Sequence, residues 1–262
     1  MINFKDVPLF LIERNRGLFI SVALFLIGSV VLRAQNTALV FGPEVIAGEG
    51  IVDFRLGYDP DADRWVYRNH IQYGFSDSFN LRGLTLHTID SSGRWDFRFF
   101  RVEGLWQFLE DEKAGWDSAL RFELEVAEGD NLPSRVRLAW SGAYDIDHYW
   151  QIRGNFLTGY EIGSASDPGA LFEVRAQVSR RLTDTSRLSL DYFGNMNNTE
   201  AFGNWESQRH QLGPTLNVRF SKTIRVIGGA LFGISQTAAD SEYRVVLMRT
   251  FGFYQANARV LT

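Results

Sequence analysis

The chain has 262 residues, of which 45% are hydrophobic and 14% are aromatic, and its formal net charge is −4. It contains no cysteine, which excludes a disulfide scaffold, a thiolate metal site and a cysteine nucleophile. The small negative charge predicts no nucleic-acid partner, because such a partner requires a basic surface.

An uncharged apolar run, 17–32, lies between Arg16 and Arg33 near the start of the chain. As a helix it would rise about 24 Å, less than the ~30 Å hydrocarbon core of a bilayer. Basic residues precede the run and Ala34 closes a small-residue cleavage site, so the pattern predicts a secretory signal peptide over 1–34. The alternative is an anchor that is not cleaved.

After a short N-terminal lead, 35–46, apolar and polar residues alternate along most of the chain. A period of two predicts strands with one apolar and one polar face. Short polar links between consecutive segments predict an antiparallel meander. The strands are predicted at roughly 47–58, 65–75, 79–87, 95–108, 116–127, 134–144, 149–161, 170–182, 187–196, 208–220, 224–235 and 242–253, before a C-terminal tail at 254–262.

Three places disturb the alternation or the pairing. Phe99 and Phe100 are adjacent aromatic residues, which predicts a β-bulge in the fourth strand. Gly228 and Gly229 predict a bend in the eleventh strand. Pro214 lies inside the tenth strand, where it cannot donate a backbone hydrogen bond.

Alternation fits either a soluble β protein with an apolar core or a membrane barrel with an apolar outer surface. Several features favour the barrel. The links after odd-numbered strands are mostly longer than those after even-numbered strands, and the strand count is even. Aromatic residues cluster near strand ends, as in interfacial girdles, at Trp65, Trp95, Trp116, Tyr144, Tyr149, Trp150, Tyr160 and Tyr243.

The signal segment, the alternating strands, the aromatic girdle and the final strand, 243–253, together resemble the Gram-negative outer-membrane β-barrel class. The chain is also similar to uncharacterised proteobacterial barrels loosely described as porins or transporters. The resemblance implies an all-β, antiparallel, up-and-down transmembrane barrel of about twelve strands, 47–253, in the cell outer membrane. It implies outer-membrane lipid and the barrel-assembly machinery as partners.

The polar face carries many arginines and carboxylates, and we expect these side chains to line the lumen. Guanidinium groups pair well with carboxylates in a confined space, so this lining predicts either a charged pore that selects small polar solutes or a structural lattice that closes it. The candidate pore-lining residues are Arg68, Arg82, Arg98, Arg121, Glu123, Glu125, Arg135, Arg137, Arg153, Glu173, Arg175 and Arg219.

Two chemical alternatives compete with a channel. The carboxylates of 59–63 have the spacing that begins a calcium loop, but Arg64 and His70 stand where glycine and an acid are required, so we interpret it as a hairpin loop. His210 and Ser207 lie near the predicted barrel rim, where a lipid hydrolase could place a Ser/His pair. Nothing in the sequence fixes that geometry. We therefore predict a passive channel for small polar solutes, without enzymatic activity or a cofactor, and a plugged structural or interaction barrel as the alternative.

Overall fold

The computed structural model describes residues 37–111 and 113–252. The predicted signal peptide, 1–34, the last residue of the predicted barrel, Phe253, and the tail, 254–262, lie outside the described residues. Among the residues that are described, no helix is both long and apolar enough to cross a bilayer.

Twelve antiparallel strands form one closed barrel, in which neighbours in sequence pair and β1 also pairs with β12. All twelve predicted strands are confirmed, and the largest boundary difference is at the end of β4, predicted at 108 and observed at Asp111. Closure pairs the two edges of the sheet, as a β-structure within lipid requires. The strands are β1 Glu49–Asp59, β2 Arg64–Gly74, β3 Phe79–Ile89, β4 Trp95–Asp111, β5 Trp116–Ala127, β6 Ser134–Asp145, β7 Trp150–Ile162, β8 Leu171–Thr183, β9 Ser186–Asn198, β10 Arg209–Arg219, β11 Ile224–Gly233 and β12 Ser241–Gly252.

The two ends of the barrel differ in the length of their links. At one end, here the tight-turn end, β8 and β9 are joined by two residues, 184–185. At the other, the long-loop end, β9 and β10 are joined by 199–208, which includes a turn of 3₁₀ helix at Trp205–Ser207. Outer-membrane barrels place their short turns in the periplasm and their long loops outside the cell.

Side-chain capping shapes one of the tight turns. Asp147 lies between β6 and β7, and its carboxylate accepts the backbone N–H groups of Tyr149 and Trp150 at 2.7 and 2.8 Å. The hydrogen bond from Trp150, followed by that from Tyr149, lowers the pKa of Asp147 below its usual value. Such Asx turns reverse the chain in few residues.

The outer wall is apolar and the inner wall is polar. On β5, Phe122 and Leu124 are 60% and 54% exposed on the outside, whereas Glu123 and Glu125 are 4% and 1% exposed on the inside. This is the arrangement of a membrane barrel and the reverse of a soluble β-sandwich. The aromatic residues form a group at each end, Trp65, Trp95, Tyr160 and Tyr243 at the long-loop end and Trp116, Tyr144, Tyr149 and Trp150 at the tight-turn end.

The irregular positions of β4 and β10 have local causes. The predicted bulge in β4 is confirmed, and Arg98 is its extra residue, since Phe97 pairs with His87 and Phe99 with Leu86. In β10, Pro214 pairs with β9, but the ladder to β11 is interrupted between Leu212 and Thr215. The strand therefore tolerates proline by giving up pairing on one side.

Candidate functional site: the barrel lumen

A segment of the chain before β1 lies inside the barrel. We call residues 37–48 the inner segment. Thr37 is 1% exposed although no strand contains it. Ala38 and Val40 pack with Phe193 of β9 and Leu231 of β11 in a buried apolar cluster on the inner wall. The start of the inner segment therefore lies against the inner wall and covers apolar residues of β9 and β11.

Hydrogen bonds from the barrel wall hold the backbone of the inner segment. Arg244 of β12 donates to the carbonyl of Ala38 at 2.7 Å, and Arg175 of β8 donates to the carbonyl of Leu39 at 3.1 Å. These two arginines supply hydrogen bonds to backbone carbonyls that have no neighbouring strand, because a buried carbonyl needs a hydrogen-bond donor.

The middle of the inner segment is fixed by β7. Asn155 accepts the N–H of Phe41 at 3.1 Å and donates to its carbonyl at 2.8 Å. The guanidinium of Arg121 lies 3.6 Å from the centre of the Phe41 ring, within the range of a cation–π interaction. One residue of the inner segment thus contacts two different strands.

The inner segment then runs to the tight-turn end, where it enters β1. Glu44 pairs with Arg153 at 2.7 Å, and the N–H of Val45 donates to Gln107 at 2.8 Å. At Gly74 the approach is so close that a Cβ there would lie 2.0 Å from the carbonyl oxygen of Ile46. The inner segment therefore lies against the wall through much of its length and narrows the lumen.

The densest charge cluster of the lumen lies on β4 and β5, with Arg101 at its centre. Arg101 lies 3.3 Å from Glu103 and 3.3 Å from Glu123, and it also donates to Glu125. All four side chains are buried. Three carboxylates this close together require compensating positive charge, which Arg101 provides for each of them.

Neighbouring strands extend this cluster into a lattice. Arg121 pairs with Glu103 at 3.0 Å, and Arg82 of β3 lies 3.5 Å from the same carboxylate. On β6, Arg137 lies 2.6 Å from Glu123, and Arg135 lies 3.3 Å from Glu125 and 2.7 Å from Glu161 of β7. The lattice therefore joins five consecutive strands, β3 to β7.

A second, smaller cluster lies on the other side of the lumen. Asp191 of β9 accepts from Arg244 at 2.5 Å, from Gln177 at 2.8 Å and from Thr215 at 3.0 Å. Beside it on β8, Arg175 pairs with Glu173 at 2.7 Å. These contacts position the two arginines that bind the inner segment.

The remaining predicted lumen residues lie outside these clusters. Arg68 of β2 has the inward register, opposite Arg55 of β1. Arg98 pairs with Asp96 at 2.8 Å at the bulge, and Arg219 donates to the backbone carbonyl of Asp184 at 2.9 Å at the tight-turn end. The structure thus brings most of the predicted set together and leaves these three apart.

Sequence reasoning missed the centre of the lattice. Arg101 was absent from the predicted lining because the disturbed register around Phe99 obscured its orientation, although Arg101 shares the parity of Glu103. It also missed Asn155 and Gln107, which have the inward register but carry no charge. The sequence indicated only that their side chains face the lumen, and many other polar residues share that orientation.

The residues of the possible calcium loop and of the possible hydrolase site make other contacts in the structure. Asp59 accepts the N–H groups of Asp61 and Ala62 at 3.0 and 3.1 Å, so it forms a hairpin turn. His210 on the outer wall contacts Tyr192 through Nδ1 at 2.8 Å and Gln208 through Nε2 at 3.0 Å. Within the described part of the chain, no group of three histidine or acidic residues could hold a metal ion.

The closed sheet, the apolar outer wall and the two aromatic groups define this chain as an outer-membrane β-barrel. No family model matches it, and no curated protein matches its sequence. It is similar in structure to the KdgM porin, with a TM-score of 0.57 and 10% identity over 77% of this chain and 99% of the porin.

Two further structures share the architecture. The NanC porin matches with a TM-score of 0.55 and 10% identity, over 78% of this chain and 100% of the porin. The COG4313 outer membrane channel from Pseudomonas putida F1 matches with a TM-score of 0.55 and 12% identity, over 85% of this chain and 100% of the channel. At these identities the likeness concerns the fold.

Proposed function

We propose that this protein is a passive outer-membrane channel for small polar solutes, with a lumen lined by arginine and glutamate. The observation that carries the proposal is the difference between the two faces of the wall: inward positions of β3 to β8 bear charged residues, whereas outward positions are mostly apolar. A polar interior is compatible with water and with polar solutes, and the fold is shared with porins and channels.

The inner segment and the lattice set the width of the conduit. Both lie inside the wall, so solutes would pass through the space that they leave open. Twelve strands fall between eight-stranded barrels, which side chains fill, and the 16-stranded open porins, so a partly filled interior is expected at this size. Outer-membrane lipid surrounds the barrel, and we propose the barrel-assembly machinery as the route of its insertion.

Incorporating the purified protein into planar lipid bilayers tests the proposal. We expect steady current steps in potassium chloride. Heat-modifiable gel migration confirms that the protein is folded. If the folded protein gives no current steps in repeated recordings, the channel function is rejected.

A plugged structural or interaction barrel is the second candidate. It is favoured by the burial of Arg101, Glu123 and Glu125 within the lattice and by the course of the inner segment through the lumen. The same bilayer recording separates the two functions, because a plugged barrel inserts without passing current.

A further inference from the structure

Arg68 differs from the other cations in the middle of the lumen. It lies on the inward side of β2, and no carboxylate pairs with it among the described residues. Its Nε is buried without a hydrogen-bond partner. The residue opposite it on β3 is the apolar Leu86, and the residue opposite it on β1 is another arginine, Arg55.

The charges around Arg68 add to its positive potential. Its guanidinium interacts with those of Arg101, Arg55 and Arg175, and with the carboxylate of Glu125. Glu125 is already bound by Arg101 and lies 3.3 Å from Arg135. Like charges directly opposite each other across two strands destabilise a sheet, so a positive group here without a counter-charge is costly.

Nearby carboxylates are committed to the other arginines. Asp53 accepts from Nε of Arg55 at 2.7 Å, and Glu173 accepts from Nε of Arg175 at 2.7 Å. Each of these pairs is neutral as a unit, which leaves the charge of Arg68 as the local excess.

A second free donor lies two residues further along the inward face of β2. Nδ1 of His70 is 3.4 Å from Nη2 of Arg55 and 3.8 Å from Oδ2 of Asp53, so of the two only Arg55 is within hydrogen-bond distance. Because arginine can only donate, Nδ1 accepts and the proton of the neutral ring is on Nε2. That Nε2 is buried and has no partner. Alternate residues on a strand are about 7 Å apart, so Arg68 and His70 offer donors to the same part of the lumen.

We propose that Arg68 is the centre of an oxyanion-binding site in the lumen, which takes the carboxylate or phosphate group of a small solute. The inference rests on the proposed channel and narrows its solutes to anions. A guanidinium presents two parallel N–H groups that match two oxygens of either anion, and surrounding positive charge in a narrow passage concentrates anions there.

The test measures binding to the folded protein in detergent by isothermal titration calorimetry, at constant ionic strength. Sodium glucuronate supplies the carboxylate, inorganic phosphate the phosphate, and glucose is the neutral comparison. We expect at least one of the two anions to bind and glucose not to bind. The anion that binds identifies the chemical class of the solute.

Arg68→Gln should weaken anion binding by about tenfold or more, because it removes a charge-assisted hydrogen-bond pair. Arg68→Lys keeps the charge but loses the two parallel N–H groups of the guanidinium, so its loss of anion affinity should be intermediate. If Arg68→Gln does not fold, Arg68→Lys is the variant that tests the site. Arg180→Gln is the matched control, because Arg180 is exposed on the outer wall against Trp150. Its removal should change binding by less than about twofold, since solvent screens a distant charge.

The inference is overturned if the wild type binds neither anion, or if both Arg68 variants bind as the wild type does. Bilayer recordings separate this failure from that of the channel. If the wild type binds an anion through Arg68 but passes no current, the channel is rejected and the anion site stands. If the wild type conducts but binds neither anion, the anion site is rejected and the channel stands.

Discussion

Asn155 binds the backbone of Phe41 in both directions, accepting its N–H at 3.1 Å and donating to its carbonyl at 2.8 Å. A single side chain of β7 thereby takes the place that a neighbouring strand would have for this residue. Asn155 is 2% exposed, so both bonds are sheltered from water. This contact makes Asn155 the principal attachment of the inner segment at mid-lumen.

The first prediction concerns release of the inner segment. Asn155→Ala removes both hydrogen bonds and should weaken docking by about 1–3 kcal/mol, which shifts the docked-to-released ratio by roughly fivefold to 150-fold. A released inner segment widens the lumen, so single-channel conductance should rise. Asn217→Ala, at an inward position of β10, is the control and should leave conductance near the wild-type value. Equal conductance of Asn155→Ala and wild type would show that this contact does not limit the pore.

The second prediction concerns the hub of the lattice. Arg101→Gln leaves three buried carboxylates short of a counter-charge and should lower the free energy of unfolding by about 3 kcal/mol or more. Arg135→Gln is the matched comparison, because Arg135 also lies near Glu125 but its side chain is 34% exposed. It should cost clearly less than Arg101→Gln, because solvent reaches the side chain of Arg135 and Glu125 keeps Arg101 as its partner. Denaturant unfolding followed by heat-modifiable migration measures both, and equal losses would contradict the role of Arg101 as hub.

The third prediction concerns the outer wall. Phe122→Arg places a charge near the middle of β5 on the lipid side and should cost about 2–4 kcal/mol. Val126→Arg, on the same side but near the long-loop end, should cost about 0–1 kcal/mol. Unfolding of the two variants in lipid measures this dependence on depth. Its absence would mean that the β5 face is not in contact with hydrocarbon.

The fourth prediction concerns orientation. An epitope inserted after Phe202, in the exposed link 199–208, should be detected on intact cells by an external antibody. An epitope inserted after Lys222, in a tight turn between β10 and β11, should be detected only after the outer membrane is opened. The reverse labelling pattern would place the barrel upside down in the membrane.

Alternation was sufficient to predict the strands, because each strand separates two different environments and its two faces must differ along the whole length. The choice of a membrane barrel also needed the link lengths, the even strand count and the aromatic residues at the strand ends. The inner segment has no such constraint, and residues 35–46 were predicted only as a lead. A signal for it did exist. Phe193 and Leu231 are apolar residues at inward positions, and an apolar side chain in a charged lumen requires a partner, which Ala38 and Val40 provide.

The pairing within the lattice was less predictable than its composition. A one-residue bulge at Arg98 changes which side chains face inward, so Arg101 could be assigned only once the register was known. Long arginine side chains also contact more than one carboxylate. Arg101 contacts two glutamates of β5, which neighbouring positions in the sequence do not indicate.

A reversible staple tests most directly whether the lumen is a conduit that the inner segment narrows. The chain has no cysteine, and a Cβ placed on Gly57 lies 3.9 Å from Cβ of Thr37, within the range of a disulfide. The experiment introduces Thr37→Cys and Gly57→Cys together with Asn155→Ala and records single-channel current in planar bilayers. The staple should hold the conductance at or below the wild-type value while oxidised, and reduction should raise it above that value. No current from the wild type, or no rise in conductance when the variant is reduced, would show that the inner segment does not narrow a conduit.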